Sequence, residues 1–212
     1  MVPIRNIDCF LDFFYEEIQE AIENTNYLIR TKNNKYILTI FEKRVQKKDL
    51  PFFMNLMHQL NNHNIKCPKP QKNKTGNYLV NIKNKPASIV SFVEGKDKNK
   101  LKIKDCYEIG KNIAKLHIAS KKIKLYRKNS MSLSSWPKLL NKIGNKSSKI
   151  DVNLKDLMET SLRDIKKRWP KNLSSGIIHG DLFIDNIFFK NKKFHGYIDF
   201  YFSSNDFLIY EI

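Results

Sequence analysis

The fold is decided by the stretch Gly176-Ile177-Ile178-His179-Gly180-Asp181-Leu182-Phe183-Ile184-Asp185-Asn186-Ile187-Phe188-Phe189. The chain then continues, after a short basic turn, into Gly196-Tyr197-Ile198-Asp199-Phe200. The apolar runs 187–189 and 197–200 flank that turn, and this pattern predicts a β-hairpin. Such a hairpin brings Asp181, Asn186 and Asp199 together at one end. We therefore expect one base and two oxygen ligands for a hard cation.

These three side chains suit the transfer of a phosphoryl group from ATP to a hydroxyl. One carboxylate has to orient the hydroxyl and accept its proton, while oxygen ligands hold Mg²⁺ against the phosphates. The order His-x-Asp-x-x-x-x-Asn, followed by a second Asp on a strand, has the spacing of the protein-kinase catalytic loop. Gly180 stands where protein kinases have Arg, and Asp199-Phe200-Tyr201 stands where they have Asp-Phe-Gly. The alternative, a hairpin with solvated acids, leaves the ordered trio unexplained.

His-Gly-Asp-Leu-x-x-x-Asn with Ile-Asp-Phe resembles the kinase-like phosphotransferases of small molecules, the aminoglycoside and choline kinase group. The longer strings 179–186, 198–202 and 205–206 are similar to bacterial homoserine kinases of that group, as are 23–29 and 36–44. The resemblance covers nearly all of the chain. It implies that ATP and Mg²⁺ are the cofactors and that a small molecule, L-homoserine, is the acceptor in a step toward threonine.

The same resemblance implies roles for the trio. Asp181 would be the catalytic base, and Asn186 and Asp199 would hold the metal. We interpret His179 and His117 as structural residues.

The implied fold is α+β, with two lobes as in a protein kinase. Residues 1–94 would form a nucleotide-binding N-lobe with an antiparallel sheet and one helix. Residues 95–212 would form a mainly helical C-lobe that carries the catalytic hairpin. Because a helical region follows this point in homoserine kinases, we expect a C-lobe without its C-terminal helices.

The resemblance also implies nucleotide-binding residues in the N-lobe. Ser91, Phe92 and Val93 would form the hinge, whose backbone groups bind the adenine edge. The segment 23–26 would cover the phosphates, with Asn26 as a candidate contact. Simple turn formation by its Asn residues is the alternative.

The cation that holds the α- and β-phosphates is harder to assign. Its usual position falls at Thr39, which carries no charge. Lys43 points to the same face of an alternating strand and is our candidate, with Lys35 and Arg44 as competitors. The helix that opens at Asp49 has no Glu in its middle to pair with such a cation.

Hydrophobic periodicity and turn residues predict the remaining elements. Helices are expected over 5–15, from Asp49 onward, over 105–120 and over 156–169, and strands over 27–30, 35–41, 78–82 and 87–93. Asp49 is expected to cap its helix. In the last helix we expect an inward apolar face of Leu157, Leu162, Ile165 and Trp169.

Composition narrows the class of protein. The 212 residues are 41% hydrophobic, enough for a globular core, and carry a formal net charge of +18. The Lys residues are scattered and Arg is scarce, so we do not expect nucleic acid as a partner. The three cysteines form no C-x-x-C pair, and we find neither a signal peptide nor an apolar run that could span a membrane. A cytoplasmic location is expected.

Three alternatives stay open. The acceptor could be another small alcohol such as choline, ethanolamine or an aminoglycoside. The chain could be an inactive nucleotide-binding fragment, as the uncharged Thr39 and the short C-terminal end suggest. A basic nucleic-acid binder rests on net charge alone.

Overall fold

In this computed structural model the described residues are 14–20, for the backbone path only, 24–42 and 45–212. Five antiparallel strands form the N-lobe sheet, in the spatial order β1-β2-β3-β5-β4. The strands are β1 (Phe14–Glu20), β2 (Asn24–Arg30), β3 (Lys35–Phe41), β4 (Leu79–Ile82) and β5 (Lys85–Ser91). The predicted pairing of the second and third strands is confirmed, with Leu28 opposite Ile37 and Asn26 opposite Thr39.

The first strand was not predicted from the sequence. The expected helix over 5–15 lies outside the described residues except for Phe14 and Tyr15, which begin β1. Their register, Phe14 opposite Arg30, adds an edge strand to β2. Pairing with a neighbouring strand thus decides the local structure here, rather than helical spacing.

Among the described residues of the N-lobe, one α-helix, α1 (Leu50–Asn62), packs on the sheet and reaches the C-lobe core. Its predicted apolar stripe is confirmed, because each of its members is buried: Phe52, Phe53, Leu56, Met57 and Leu60. The expected cap is wrong, since the Asp49 side chain makes no capping hydrogen bond. That carboxylate binds Arg127 instead.

The C-lobe contains three helices and two strand pairs. They are α2 (Ile103–Ser120), α3 (Trp136–Ile143), α4 (Leu154–Arg168), β6 (Ser175–Ile178), β7 (Ile187–Lys190), β8 (Lys193–Tyr197) and β9 (Ser204–Phe207). β7 and β8 form the predicted antiparallel hairpin, and β6 pairs antiparallel with β9. One buried cluster runs from α1 through α2 to this hairpin. The lobe boundary at residues 94 and 95 stays a prediction.

Two sequence expectations in the C-lobe are wrong. The second hairpin strand ends at Tyr197, because Asp199 adopts a left-handed conformation and 200–202 form a 3₁₀ turn. In α4, Leu157 is 63% exposed and Ile165 40% exposed. The described partners of α4, namely α3 and the turn 144–149, are too short to cover that face. No helix within the described ranges is long and apolar enough to cross a membrane.

Candidate active site

The candidate site lies on the loop that joins β6 to β7. β6 enters the core with Ile177 and Ile178 buried, and the chain then turns at Gly180 with φ of +82°. A Cβ atom at Gly180 would lie 2.8 Å from the carbonyl oxygen of Phe202. The close approach and the positive φ together explain why glycine stands immediately before Asp181.

Asp181 and Asn186 are in direct contact. The Asn186 amide nitrogen donates to the backbone carbonyl of Asp181 at 2.8 Å and to its carboxylate Oδ2 at 3.2 Å. Asn186 is buried, whereas Asp181 is half-buried. The loop therefore fixes the orientation of the carboxylate and leaves the amide oxygen of Asn186 facing away from it.

Asp199 follows the hairpin at an exposed position with φ of 59° and ψ of 65°. Its predecessor Ile198 is held from two sides, because its N–H donates to the Asn186 carbonyl at 3.0 Å and its carbonyl accepts from His179 Nε2 at 2.8 Å. These bonds bring the start of the Asp199 turn next to Asn186.

His179 supports the loop from within the core. It is fully buried, and its ring lies 4.4 Å from that of Phe200. Burial lowers its pKa, against the opposing effects of the Glu211 charge, the Ile198 hydrogen bond and the Asp181 charge. A neutral ring that donates through Nε2 follows, which agrees with the structural role inferred from the sequence.

Glu211 is a part of this loop's surroundings that sequence reasoning missed. Its carboxylate accepts from the Gly180 N–H at 2.9 Å and contacts His117 Nε2 at 2.7 Å. The Glu211 side chain is 1% exposed. His117, interpreted as structural, thus reaches the loop between β6 and β7 through a carboxylate. No local sequence pattern signals this contact, because its members lie 31 and 94 positions apart.

Two more acidic residues, Asp206 and Asp185, lie near the loop. The carboxylate Oδ2 of Asp206 accepts from Asn129 Nδ2 at 2.7 Å, so this side chain supports the segment before α3. Asp185 is exposed at the start of the 3₁₀ turn 184–186.

The predicted hinge begins at Ser91, the last residue of β5. The Ser91 N–H donates to Lys69 O at 2.9 Å and the Phe92 N–H donates to Lys35 O at 3.1 Å. Among the described residues, the N–H and carbonyl of Val93 have no hydrogen-bond partner. Val93 is therefore the hinge residue with both backbone groups available to a ligand.

The predicted phosphate-binding residues are only partly described. The Asn26 side chain is half-buried, and its Oδ1 accepts from Thr39 Oγ1 at 2.8 Å. The Thr39 side chain is buried at the position where the resemblance implies a cation. Lys43 and Arg44 lie outside the described residues.

The donor set can be tested against a divalent cation. No cluster of three or more His, Cys, Asp or Glu side chains suited to a metal occurs within the described ranges. Asn186 offers an amide oxygen, since its nitrogen is already used by Asp181, and the exposed Asp199 offers a carboxylate. Two hard oxygen donors fit Mg²⁺, which commonly takes its other ligands from substrate phosphates and water.

Known proteins share this sequence and fold. The model of the phosphotransferase enzyme family (APH) matches residues 15–212. Homoserine kinase from Rhizobium meliloti (strain 1021) is 40% identical over 198 residues, which are 93% of this chain and 61% of that enzyme. Homoserine kinase from Agrobacterium fabrum is 39% identical over 93% of this chain and 62% of its own length. The chain thus spans about three fifths of these relatives.

Solved structures support the same fold. Amicoumacin kinase hAmiN, in complex with AMP-PNP, Ca²⁺ and Ami, superposes with a TM-score of 0.71 at 16% identity over 92% of this chain and 60% of its own. Spectinomycin phosphotransferase APH(9)-Ia, in complex with ADP and spectinomycin, gives 0.71 at 14% identity over 95% and 68%. The predicted α+β, protein-kinase-like fold is confirmed. Together with the family match, these findings show that the chain belongs to the phosphotransferase enzyme family.

Proposed function

We propose that this protein transfers the γ-phosphoryl group of ATP to the side-chain hydroxyl of L-homoserine. The observation that carries phosphoryl transfer is the contact of Asn186 with Asp181, in the loop of a phosphotransferase-family chain. The acceptor is inferred from the curated homoserine kinases, of which the R. meliloti enzyme is 40% identical. The products would be ADP and O-phospho-L-homoserine.

Asp181 would act as the base. The bond between the γ-phosphorus and the β,γ-bridging oxygen breaks, and a bond from that phosphorus to the homoserine oxygen forms. The hydroxyl proton passes to the Asp181 carboxylate. Asn186 holds Oδ2 of that carboxylate at 3.2 Å and so leaves Oδ1 for the acceptor. Positioning of this kind supplies most of the rate enhancement in phosphoryl transfer.

Asn186 and Asp199 are the residues that would hold Mg²⁺. One acts through its amide oxygen and the other through its carboxylate. When bound, the cation supplies charge neutralisation of the nucleotide phosphates. The hydrogen bond from the Ile198 N–H to the Asn186 carbonyl holds the backbone just before Asp199 next to Asn186.

On the nucleotide side we propose Ser91, Phe92 and Val93 as the hinge. Val93 would supply the backbone groups, because the N–H groups of the other two bind Lys69 and Lys35. Phosphate contacts by Asn26 and Lys43 remain part of the proposal, as does a cytoplasmic location.

The test is ADP release from ATP and Mg²⁺, with and without L-homoserine. The wild-type chain is compared with Asp181→Ala and with the matched control Asp185→Ala, which removes an exposed acid four positions away. We expect homoserine-dependent release that is lost in Asp181→Ala and retained in Asp185→Ala. Choline, ethanolamine and an aminoglycoside serve as competing acceptors.

Two outcomes contradict parts of the proposal. Faster ADP release with one of the competing alcohols than with L-homoserine would mean that this alcohol is the acceptor. Mg²⁺-dependent ATP binding without turnover for any acceptor would identify the chain as a nucleotide-binding unit.

A further inference from the structure

The segment 199–203, called here the Asp199 segment, follows β8 and carries the proposed metal ligand. Two contacts with His179 help to fix it from the C-lobe side. The Ser203 hydroxyl donates to the His179 carbonyl at 3.1 Å, and the Phe200 ring packs on that of His179. The position of Asp199 therefore depends on what holds the rest of the segment.

Arg127 binds this segment from the loop between α2 and α3. Its Nη1 donates to the Ser203 carbonyl at 3.0 Å and lies 3.5 Å from the Phe202 carbonyl. The Arg127 backbone is itself fixed, because its N–H donates to Asn205 Oδ1 at 2.8 Å and its carbonyl accepts from the Asn205 N–H at 2.7 Å. These two bonds hold the backbone from which the guanidinium side chain extends.

The same guanidinium reaches the N-lobe. Arg127 Nε donates to Asp49 Oδ2 at 2.8 Å, immediately before α1 begins. Its Cζ lies 5.0 Å from the ring centroid of Phe53, a fully buried residue of α1. The side chains of Arg127 and Asp49 are 15% and 18% exposed, so solvent screens this ion pair only in part.

α1 makes a second contact with the Asp199 segment. The Tyr201 ring meets Phe53 edge-on at 5.7 Å and Phe41 of β3 at 5.1 Å. Phe53 therefore touches Arg127 and Tyr201 at once. Within α1 the sequence Leu50–Asn62 has no acidic residue, so a carboxylate of the helix itself cannot couple it to the site.

These contacts lead to one inference, which rests on the proposed function. We propose that Arg127 is a positioning residue that sets the place of Asp199 for the nucleotide-bound cation, by tying the Asp199 segment to Asp49 and α1. A lysine could not replace it, because one ammonium group cannot span Asp49 and two backbone carbonyls with a planar fork.

The test measures binding rather than turnover. ATP is titrated into the full chain at a series of Mg²⁺ concentrations and again with Mg²⁺ chelated. Four variants are compared with the wild type: Arg127→Met, Arg127→Lys, Asp199→Ala and, as a control, Arg163→Met. In the wild type the Arg163 guanidinium binds only Thr160 within the described residues. Methionine retains an apolar stem that can pack on Phe53.

We expect Arg127→Met and Arg127→Lys to weaken Mg²⁺-dependent ATP binding by about tenfold, as loss of a residue that orients a metal ligand does. ATP binding without Mg²⁺ should not change, and Arg163→Met should match the wild type. Hydrogen exchange over 199–203 should speed up in the Arg127 variants alone. A purely structural defect would instead lower metal-free ATP binding as well.

Asp49→Asn gives an independent variant, because it leaves the Arg127 bonds to Phe202 and Ser203 in place. We expect a smaller loss than for Arg127→Met, and no added loss when the two changes are combined. If Arg127→Met binds Mg²⁺ and ATP like the wild type while Asp199→Ala does not, this inference fails alone. If Asp199→Ala keeps the wild-type Mg²⁺ dependence, the proposed metal site fails and the inference with it.

Discussion

The Glu211 carboxylate accepts a hydrogen bond from the Gly180 N–H at 2.9 Å, one residue before Asp181. Its second oxygen contacts His117 Nε2 of α2 at 2.7 Å. One buried acid therefore holds the loop between β6 and β7 against α2, the longest helix of the C-lobe. The position of Asp181 depends on this acid as well as on Asn186.

Replacement of Glu211 by Ala should destabilise the fold by about 1–3 kcal/mol, because it leaves the Gly180 N–H and the His117 ring without their acceptor. Glu211→Gln should lose less, since its amide oxygen can still accept one bond. Urea unfolding measures both. Asp185→Ala is the control, and equal stabilities for Glu211→Ala and this control would show that the buried contact contributes nothing.

Asn186→Leu should lower homoserine-dependent ADP release by about 10–100-fold, because it removes the donor to Asp181 and the amide oxygen proposed for the metal. Asn112→Leu makes the same change at a half-buried position of α2, where, within the described part of the chain, the amide binds only the Glu108 carbonyl. The pair is compared in steady-state assays at saturating ATP. Equal rates of ADP release for the two variants would show that Asn186 has no part in the reaction.

His179 should make stability depend on pH. Its pKa is lowered in the folded chain by burial, whereas the unfolded chain titrates near the ordinary value of 6.5. Below that pH the unfolded state binds a proton at His179 that the folded state does not bind, so the free energy of unfolding falls as pH falls. The limiting slope is about 1.4 kcal/mol per pH unit.

Denaturant unfolding at pH 7.5 and 5.5 measures this effect. The loss of stability on acidification should be smaller for His179→Gln than for the wild type. His63→Gln, at an exposed position, should behave as the wild type does. A loss in His179→Gln as large as that of the wild type would assign the pH dependence to other groups.

Two glycines should respond in opposite directions to alanine. At Gly95, φ is +108° and a Cβ would lie 2.5 Å from the Phe189 carbonyl oxygen, so Gly95→Ala should cost about 1–3 kcal/mol. At Gly110 in α2 a Cβ meets nothing within 4 Å, so Gly110→Ala should stabilise the helix by about 0.5–1 kcal/mol. Thermal or urea unfolding compares them. A neutral Gly95→Ala would mean that the linker after the hinge can move away from β7.

The sequence predicted those parts of the site whose partners are close along the chain. Asp181 and Asn186 are five positions apart, and their loop-and-strand spacing is a local pattern. Turn residues likewise located the hairpin, whose Asn191 and Lys192 adopt positive φ. Local patterns are sufficient where one turn fixes the geometry.

The contacts that the sequence could not predict are long-range. Asp49 has the chemistry of a helix cap, yet an arginine 78 positions later takes its carboxylate. Nothing in the sequence around Glu211 points to a partner, yet the fold places it against Gly180 and His117. The inward face predicted for α4 assumed a partner that the described residues do not supply. In each case the tertiary partner, not the local propensity, decides the outcome.

If Asp181 serves phosphoryl transfer to L-homoserine, as we propose, the reaction leaves a phosphorylated amino acid that can be identified. The chain and Asp181→Asn are incubated with ATP, Mg²⁺ and L-homoserine, and ³¹P NMR follows the phosphorus signals. We predict a phosphate monoester of homoserine that forms with the wild type and stays undetected with Asp181→Asn. Formation of that ester at equal rates by both proteins, or release of free phosphate in its place, would rule out Asp181-dependent transfer to L-homoserine.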